Sequence, residues 1–163
     1  MDSHLTYQHY NTGGVAQGYS LEPFGNVIVI SPYNAPFFTP SKYLVLSLLV
    51  GNAVLIKSSD QCLTVTNTIA SAFKQVSGLD AVVPVHTSLE VVETLLENKD
   101  TGFINFTGLT KSGHELYREI STKSECFAES VFHMSGSDAG YVRADADIHK
   151  AAKMLARGAF ANS

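Results

Sequence analysis

Residues 26–57, NVIVISPYNAPFFTPSKYLVLSLLVGNAVLIK, constrain the fold of this chain more than any other stretch, because they hold two apolar runs on either side of a helical segment. The runs at 27–30 and 53–56 show no polar alternation, which is typical of strands that are covered on both faces. Such strands are usually parallel, and parallel neighbours need a crossover connection between them. The stretch therefore predicts a βαβ unit.

The segment between the two runs carries start and stop signals for the crossover helix. Thr39 is a suitable cap, Pro40 fits the first helical position, and Gly51 lies where a helix end favours a left-handed residue. The turn at 31–36 then follows the carboxyl end of a buried parallel strand. Open α/β sheets bind ligands at that edge, so we expect a binding site there.

The composition of the chain excludes several classes of protein. In 163 residues, 45% are hydrophobic and 16% are charged, which is typical of a globular domain. Eleven basic against fifteen acidic residues give a net charge of −4, and no basic cluster supports binding to nucleic acid. No apolar run reaches the roughly 18 to 20 residues of a membrane span, and the polar opening lacks the regions of a signal peptide. We expect a cytoplasmic protein with no membrane partner, in which Cys62 and Cys126 are free thiols without metal-ligand spacing.

Strand and helix signals continue to alternate after the βαβ unit. Apolar positions at steps of three and four residues indicate helices, and short apolar runs indicate strands. The predicted elements are a helix at 65–76 ending at Gly78, a strand at 81–85, a helix at 89–96 capped by Ser88 and a strand at 103–106. A turn at 107–113 then opens a helix that continues through about residue 121.

The two ends of the chain give unequal signals. Residues 1–21 predict an irregular N-terminal segment, and the domain itself is predicted to occupy residues 22–163. Near the other end, 130–134 and 141–142 are candidate short strands, and Asp147 can cap a last helix. The repeated alternation predicts an α/β fold with a doubly wound parallel sheet rather than a helical bundle or a sandwich.

Gly108 and Gly113 bracket the turn between the strand at 103–106 and its helix. Free backbone N–H groups and a positive helix end form a workable phosphate site at such a place. Tight strand-to-helix turns also need glycine for steric reasons, whether or not a ligand binds. The two glycines alone leave both interpretations open.

Polar residues at the other predicted strand ends also have two interpretations. Lys57 and Asp60 follow the second strand, where an acid can accept hydrogen bonds from ribose hydroxyls, although isolated charges in loops are usually only solvated. Asn34 offers amide donors of the kind that stabilise an oxyanion, but asparagine is also common in proline-bounded turns. His133 can titrate near neutral pH, yet a histidine without an identified partner is more often structural. No serine lies in a nucleophile-elbow pattern.

Four segments of the chain, in order, resemble motifs of the aldehyde dehydrogenase superfamily. EPFGNV at 22–27 and SPYNAP at 31–36 are similar to the family's EP-x-G-x-V and PWN-x-P segments. GNAVLIKSSD at 51–60 is similar to GN-x-V-x-x-KPSE, and FTGLTKSG at 106–113 is similar to FTGST-x-x-G. One short motif is weak evidence, whereas four collinear motifs over residues 22–163 indicate common descent. The resemblance implies a Rossmann-like cofactor-binding domain.

The resemblance also implies roles for residues within these motifs. Asn34 corresponds to the family's oxyanion donor, and an acid at Asp60 points to NAD as the cofactor, because it would repel a 2′-phosphate. The implied cofactor contacts are Ser31, Pro32, Lys57, Ser59, Asp60, Gly108, Thr110 and Gly113.

Departures from the family pattern bear on catalysis. In VFHMSGSD at 131–138, which is similar to the family's ELGG segment, His133 stands in place of the general-base glutamate and Ser135 replaces a glycine. Leu109 replaces a serine that usually bonds a phosphate oxygen. GAFANS at 158–163 resembles the approach to the family's GQ-x-C segment, whose cysteine is the nucleophile, and the sequence stops short of that cysteine.

These features predict a shortened aldehyde dehydrogenase that keeps most of the cofactor-binding domain, with Asn34 as a vestigial oxyanion donor. We expect that the chain alone does not oxidise aldehydes with NAD. One alternative is a non-catalytic nucleotide-binding or protein-interaction module that forms homo-oligomers, or docks on a partner, through apolar faces left uncovered. Another is a piece of a longer enzyme, in which later residues supply the nucleophile.

Overall fold

The computed structural model describes residues 8–86, 89–123, 128–136 and 138–161. It contains a five-stranded parallel sheet with helices on both faces and a separate two-stranded antiparallel hairpin, which confirms the predicted doubly wound α/β fold. In chain order the elements are β1 (Gln8–Thr12), β2 (Val15–Tyr19), β3 (Asn26–Ile30), α1 (Phe38–Val50), β4 (Ala53–Lys57), α2 (Leu63–Ser77), β5 (Val82–Val85), α3 (Leu89–Leu96), β6 (Thr101–Gly108), α4 (Thr110–Lys123), β7 (Glu129–Met134) and α5 (Ile148–Phe160).

The large sheet is built around β3 and has the strand order β5-β4-β3-β6-β7, with every neighbouring pair parallel. Successive residues of a strand face opposite sides of the sheet. Val27 and Val29 accordingly pack in the core beneath α1 and α2, while Ile28 and Ile30 pack in the core beneath α3 and α4. The unbroken apolar run of β3 is therefore explained by burial on both faces.

Three helix ends follow the signals in the sequence. Gly51 ends α1 with φ of 95°, and Gly78 ends α2 with φ of 73°, so each occupies the left-handed region that favours glycine. Asp147 caps α5 by accepting a hydrogen bond from the backbone N–H of Lys150 at 3.1 Å. These three predictions are confirmed.

The predicted start of α1 is wrong. Phe37, and not Thr39, is the N-cap residue, and it makes no side-chain cap hydrogen bond. The chain already turns helically before this point, because the Thr39 N–H donates to the carbonyl of Ala35 at 3.3 Å. Pro40 consequently lies inside the first turn, where proline is tolerated.

Two further expectations differ from the structure. The N-terminal segment 1–21 is not irregular throughout, because β1 and β2 pair as a hairpin around the positive-φ residues Gly13 and Gly14. Residues 141–142 form no strand and belong to the connection between β7 and α5. The predicted cap residue Ser88 lies outside the described residues.

The connections change direction at β3, and this change creates a crevice in the sheet. Helix α1 leads from β3 to β4 on one side, whereas α3 leads from the edge strand β5 back to β6 on the other side. The loops that leave β3 and β6 therefore diverge at the carboxyl ends of these strands. Doubly wound sheets bind their ligands in such a crevice.

Candidate functional site

A cleft of about 390 Å³ lies at the carboxyl edge of the sheet, where the connections diverge. Its walls come from three strand ends that are distant in sequence. They are residues 32–34 in the turn after β3, residues 107–109 at the end of β6 and residues 133–135 at the end of β7. The structure thus brings together Pro32, Asn34, Gly108 and His133, which the sequence predicted as site residues.

The turn after β3 is held in place by its backbone. The Ser31 N–H donates to the carbonyl of Lys57 at 2.8 Å, and the buried Ser31 hydroxyl donates to the carbonyl of Pro32 at 3.4 Å. The first bond ties the end of β3 to the end of β4, and the second is local to the turn that leads to Asn34, which is exposed on the cleft wall. Ser31 therefore positions the turn and does not itself line the cleft.

The residues predicted to surround a ribose lie beside this cleft and not in it. Lys57 ends β4 in register with Ile30, and its Nζ donates to the carbonyl of Ser58 at 3.2 Å. Asp60 is exposed and begins a short 3-10 helix at Asp60–Cys62, next to the half-buried Ser59. They share the carboxyl edge of the sheet with the cleft, on the β4 side.

Gly108 and Gly113 have a steric reason to be glycine. A Cβ atom at Gly108 would stand 2.8 Å from Cζ of Phe106, and one at Gly113 would stand 2.7 Å from Sδ of Met134. Neither residue has a positive φ, so close packing is the reason that can be read from the structure. This observation favours the steric explanation for the two glycines, which the sequence left open. The N-terminus of α4 nevertheless faces the carboxyl edge of the sheet.

The first turn of α4 follows the cleft wall directly. Thr110 begins the helix and is exposed, as is Leu109, which lines the cleft with 68% of its surface accessible. The first backbone hydrogen bond of the helix joins the Gly113 N–H to the carbonyl of Leu109 at 3.0 Å. The backbone N–H groups of residues 110–112 therefore lie in the first turn, and groups in that turn have no acceptor within the helix.

His133 has a partner that the sequence did not reveal. Its Nε2 lies 2.5 Å from the hydroxyl of Tyr43, and the two ring centroids are 5.9 Å apart. Tyr43 belongs to α1, ninety positions earlier in the chain. The apolar pattern of α1 carried no signal of this contact, because a pairing across such a separation depends on the assembled sheet.

Two buried polar side chains near the site have no hydrogen-bond partner among the described residues. The hydroxyl of Thr107, a residue of the cleft wall, and the hydroxyl of Ser58, just after β4, are both buried. Buried hydroxyls are normally paired, so each of these carries a desolvation cost.

The cleft walls carry almost no charge. Within 32–34, 107–109 and 133–135 there is no Asp, Glu, Lys or Arg, and His133 is the one histidine. No cysteine lines the cleft either. Cys62 is buried beneath the turn after β3, where its thiol donates to the carbonyl of Tyr33 at 3.5 Å, and Cys126 lies outside the described residues.

Two other kinds of site find no support in the part of the chain that the structure describes. No three histidine, cysteine or acidic side chains gather where they could hold a metal ion. None of the helices in that part is both long and apolar enough to cross a membrane.

The sheet order and the cleft at the divergence of β3 and β6 define a Rossmann-like α/β domain. The sequence profile of the aldehyde dehydrogenase family matches residues 3–163. The chain belongs to the aldehyde dehydrogenase family.

Individual relatives agree with this assignment. The chain is 31% identical over 146 residues to a 4,4'-diapolycopene aldehyde oxidase of Methylomonas sp, covering 86% of this chain and 26% of the relative. It is 32% identical over 147 residues to a 1-pyrroline-5-carboxylate dehydrogenase of Geobacillus kaustophilus, covering 85% of this chain and 28% of the relative. Among solved structures, an NAD-dependent benzaldehyde dehydrogenase from Corynebacterium glutamicum superposes with a TM-score of 0.78 at 27% identity. The superposition covers 96% of this chain and 34% of that structure. The chain thus spans between a quarter and about a third of the length of these relatives.

Proposed function

We propose that this chain is the NAD-binding part of an aldehyde dehydrogenase, and that the dinucleotide lies across the cleft between β3 and β6. The observation that carries the proposal is the position of this cleft, at the point where the connections of the sheet diverge. Family membership and the NAD-dependent relative from Corynebacterium glutamicum support the choice of ligand.

The adenosine half of NAD is proposed to bind on the β4 side. There the exposed carboxylate of Asp60 can accept hydrogen bonds from ribose hydroxyls, with Lys57 and Ser59 beside it. An additional 2′-phosphate would meet the negative charge of Asp60 at this position. We therefore expect NAD to bind more tightly than NADP.

The pyrophosphate is proposed to face the first turn of α4, between Gly108 and Gly113. The backbone N–H groups at 110–112 and the positive end of the helix favour an anion there. Leu109 offers no hydrogen-bond donor beyond its backbone, and its exposed side chain narrows the approach. The contact with phosphate is thus expected to rest on backbone groups, so its affinity should be modest.

The catalytic part of the proposal is limited to what the cleft walls supply. Asn34 and His133 both lie on the cleft wall. The family resemblance implies an oxyanion-donor role for Asn34 and implies that His133 stands in place of the general-base glutamate. A thiol nucleophile is missing from the described cleft walls, and Cys62 is buried beneath the turn. We propose that the chain of 163 residues binds NAD without oxidising aldehydes.

Calorimetric titration of the chain with NAD and with NADP tests the binding proposal. We expect measurable heat with NAD, weaker binding of NADP, and loss of this preference in Asp60→Asn. The matched control is Asp145→Asn, because Asp145 is also an exposed carboxylate but pairs with Arg143 at 2.9 Å, away from the cleft. Absence of heat at millimolar NAD would refute the binding proposal.

The catalytic proposal needs a separate assay. Short and aromatic aldehydes are incubated with NAD and the chain, and formation of NADH is followed by absorbance. We expect no turnover. Formation of NADH would contradict this expectation, and its persistence in a chain with Cys62→Ala and Cys126→Ala would require another nucleophile.

A second candidate function is protein interaction, and α5 is the feature that favours it. None of its residues is buried, and its apolar side chains remain largely exposed, with 78% of Phe160 accessible. Exposed apolar surface of this kind supports self-association or docking on another protein. Sedimentation velocity at high concentration tests this candidate, and a monomer at all concentrations would count against self-association.

A further inference from the structure

Helix α1 is apolar on its outer side as well as on its inner side. The inner side packs on β3 and β4, where Leu44 joins the core, and Lys42 is the one charged residue of the helix. The outer side exposes four large apolar side chains, which are Phe38 (79%), Val45 (52%), Leu46 (58%) and Leu49 (59%). Helices that are apolar all round are normally buried on every side. The outer side of α1 is therefore a surface of the kind that a partner covers.

A continuous stripe runs along this outer side from one end of α1 to the other. Phe38, Lys42, Val45 and Leu49 follow one another at steps of four, three and four residues. These steps place the four side chains on one line of a helix, with Leu46 beside the line. Helices that pack against each other along their length use the same spacing. We call these four residues the outer stripe of α1.

The surface beside the outer stripe is also apolar. A groove of about 410 Å³ is lined by Leu46 and Val50 of α1, by Phe103 of β6, and by Leu21 and Phe24 of the segment before β3. The exposed fractions of Leu21 and Phe24 are 51% and 47%. Stripe and groove rim together offer roughly 650 Å² of apolar surface, if an aromatic side chain has about 200 Å² and an aliphatic one somewhat less. Stable interfaces bury about 600–1,000 Å² on each partner, so this surface is large enough for one.

The charge of Lys42 decides which orientation of a second copy fits the stripe. In a parallel pair of α1 helices, Lys42 would face Lys42 of the other copy, and the like charges would repel each other. In an antiparallel pair with Phe38 level with Leu49 of the other copy, Lys42 is level with Val45. Its aliphatic stem then covers apolar surface while its ammonium group reaches solvent. The stripe is therefore complementary to its own reverse, as a two-fold axis requires.

We propose that this chain forms a two-fold symmetric homodimer in which the outer stripes of two α1 helices pack antiparallel. The interface goes beyond the proposed NAD site, because the walls of that cleft come from residues 32–34, 107–109 and 133–135 and not from α1. It is also a different surface from α5. Since the buried area lies at the lower end of stable interfaces, the expected dissociation constant is about 1–100 μM.

Sedimentation velocity over a range of concentrations measures this dissociation constant for the whole chain and for variants of the stripe. Val45→Glu and Leu49→Glu each place a charge in the apolar contact, so each should raise the dissociation constant at least about tenfold. Lys42→Leu removes the one charge from the stripe and should lower the constant. All three residues are exposed, so the variants should keep the melting temperature of the parent chain within a few degrees.

The matched control is Ile148→Glu on α5. It makes the same kind of change at an apolar helix position that is 76% exposed, but outside the proposed interface. We expect the dissociation constant of this variant to stay within about twofold of the parent value, the range of near-neutral surface changes.

Disulfide cross-linking tests the orientation of the two helices. Phe38→Cys and Leu49→Cys are prepared separately, then oxidised alone and as a mixture, with the parent chain as the background for Cys62 and Cys126. The antiparallel pair brings position 38 of one copy to position 49 of the other. The mixture should therefore give a linked pair that peptide mass spectrometry assigns to positions 38 and 49, whereas each variant alone should give far less.

Each outcome supports or overturns the proposal. A chain that stays monomeric at high micromolar concentration would overturn it and would leave the outer stripe to a different polypeptide. A dimer that Ile148→Glu dissociates and Leu49→Glu does not would place self-association on α5 and overturn it as well. Cross-linking of Leu49→Cys to itself as efficient as the mixed link would overturn the antiparallel arrangement. None of these results bears on NAD binding, which the titrations described above test separately.

Discussion

The amide of Asn105 provides the sharpest test of how the central sheet is packed. Asn105 lies in the middle of β6, paired with Val29 on one side and Val131 on the other, and its exposed fraction is 0%. Both atoms of its amide, Nδ2 and Oδ1, lack a hydrogen-bond partner among the described residues. A buried polar group in this condition destabilises the fold.

Replacing Asn105 with valine should therefore stabilise the domain. An unpaired buried polar group costs about 1–3 kcal/mol, and valine suits a strand between two other valines. Strain from the different shape could reduce the gain, so we expect a net increase of about 1–2 kcal/mol in the free energy of unfolding. For a chain of this size, such a change raises the melting temperature by roughly 2–8 °C.

Urea unfolding followed by circular dichroism measures this change through the transition midpoint. Asn52 supplies a matched control, because it is also a buried asparagine but both ends of its amide are paired. Its Oδ1 accepts from the Gly25 N–H at 3.1 Å, and its Nδ2 donates to the carbonyl of Ser47 at 2.9 Å. Asn52→Ala should destabilise the domain by about 1–3 kcal/mol.

The two substitutions are expected to act in opposite directions. A lower transition midpoint for Asn105→Val, in the same direction as that for Asn52→Ala, would refute the reasoning. That result would mean that the Asn105 amide is hydrogen-bonded in solution, for example to a buried water.

Four further predictions concern packing, capping and access. Gly102→Ala should lower the free energy of unfolding in urea by more than about 3 kcal/mol, because the added Cβ would overlap the carbonyl oxygen of Phe24. A decrease below about 1 kcal/mol would contradict this close approach. Gly158→Ala, which meets nothing within 4 Å, should raise the stability of α5 by about 0.5–1 kcal/mol and increase helicity by circular dichroism. Asp147→Ala should cost about 1 kcal/mol and speed amide exchange in the first turn of α5, whereas unchanged exchange would argue against the cap. Cys62, at 8% exposure, should react with iodoacetamide much more slowly in the native chain than in urea, and equal rates measured by peptide mass spectrometry would contradict its burial.

Local signals predicted most of the sheet domain, because the features that specify it are local. The unbroken apolar runs of β3 and β4 required burial on two faces, and alternate residues of β3 do join two separate cores. Gly51, Gly78 and Asp147 act within one helical turn of their own positions, so their roles follow from the neighbouring sequence.

The N-terminal hairpin could have been predicted from one feature of the sequence. Gly13 and Gly14 form the two-residue connection between Thr12 and Val15, and both have positive φ. Paired glycines suit the turns that join antiparallel strands. The flanking residues mix polar and apolar types without clear alternation, which concealed the strands.

The candidate site was predictable in its backbone but not in its contacts. Asn34, Gly108 and His133 were each expected at strand ends, and parallel strands bring such ends to one edge. The contact of Tyr43 with His133 depends on where α1 lies over the assembled sheet, which no local pattern encodes. The same applies to the unpaired amide of Asn105, because its missing partners are a property of the surrounding strands.

The fold and the chemistry of this domain depend on different residues, so one can change without the other. The apolar positions of β3, β4 and β6 determine the parallel sheet and hence the place of the cleft. The side chains of Asn34, Leu109 and His133, which line the cleft, are all exposed and contribute little to the two cores. Substitutions at these positions would therefore alter binding while they leave stability nearly unchanged. The fold follows from the first set of residues, whereas the nature of a ligand at the cleft depends on the second set.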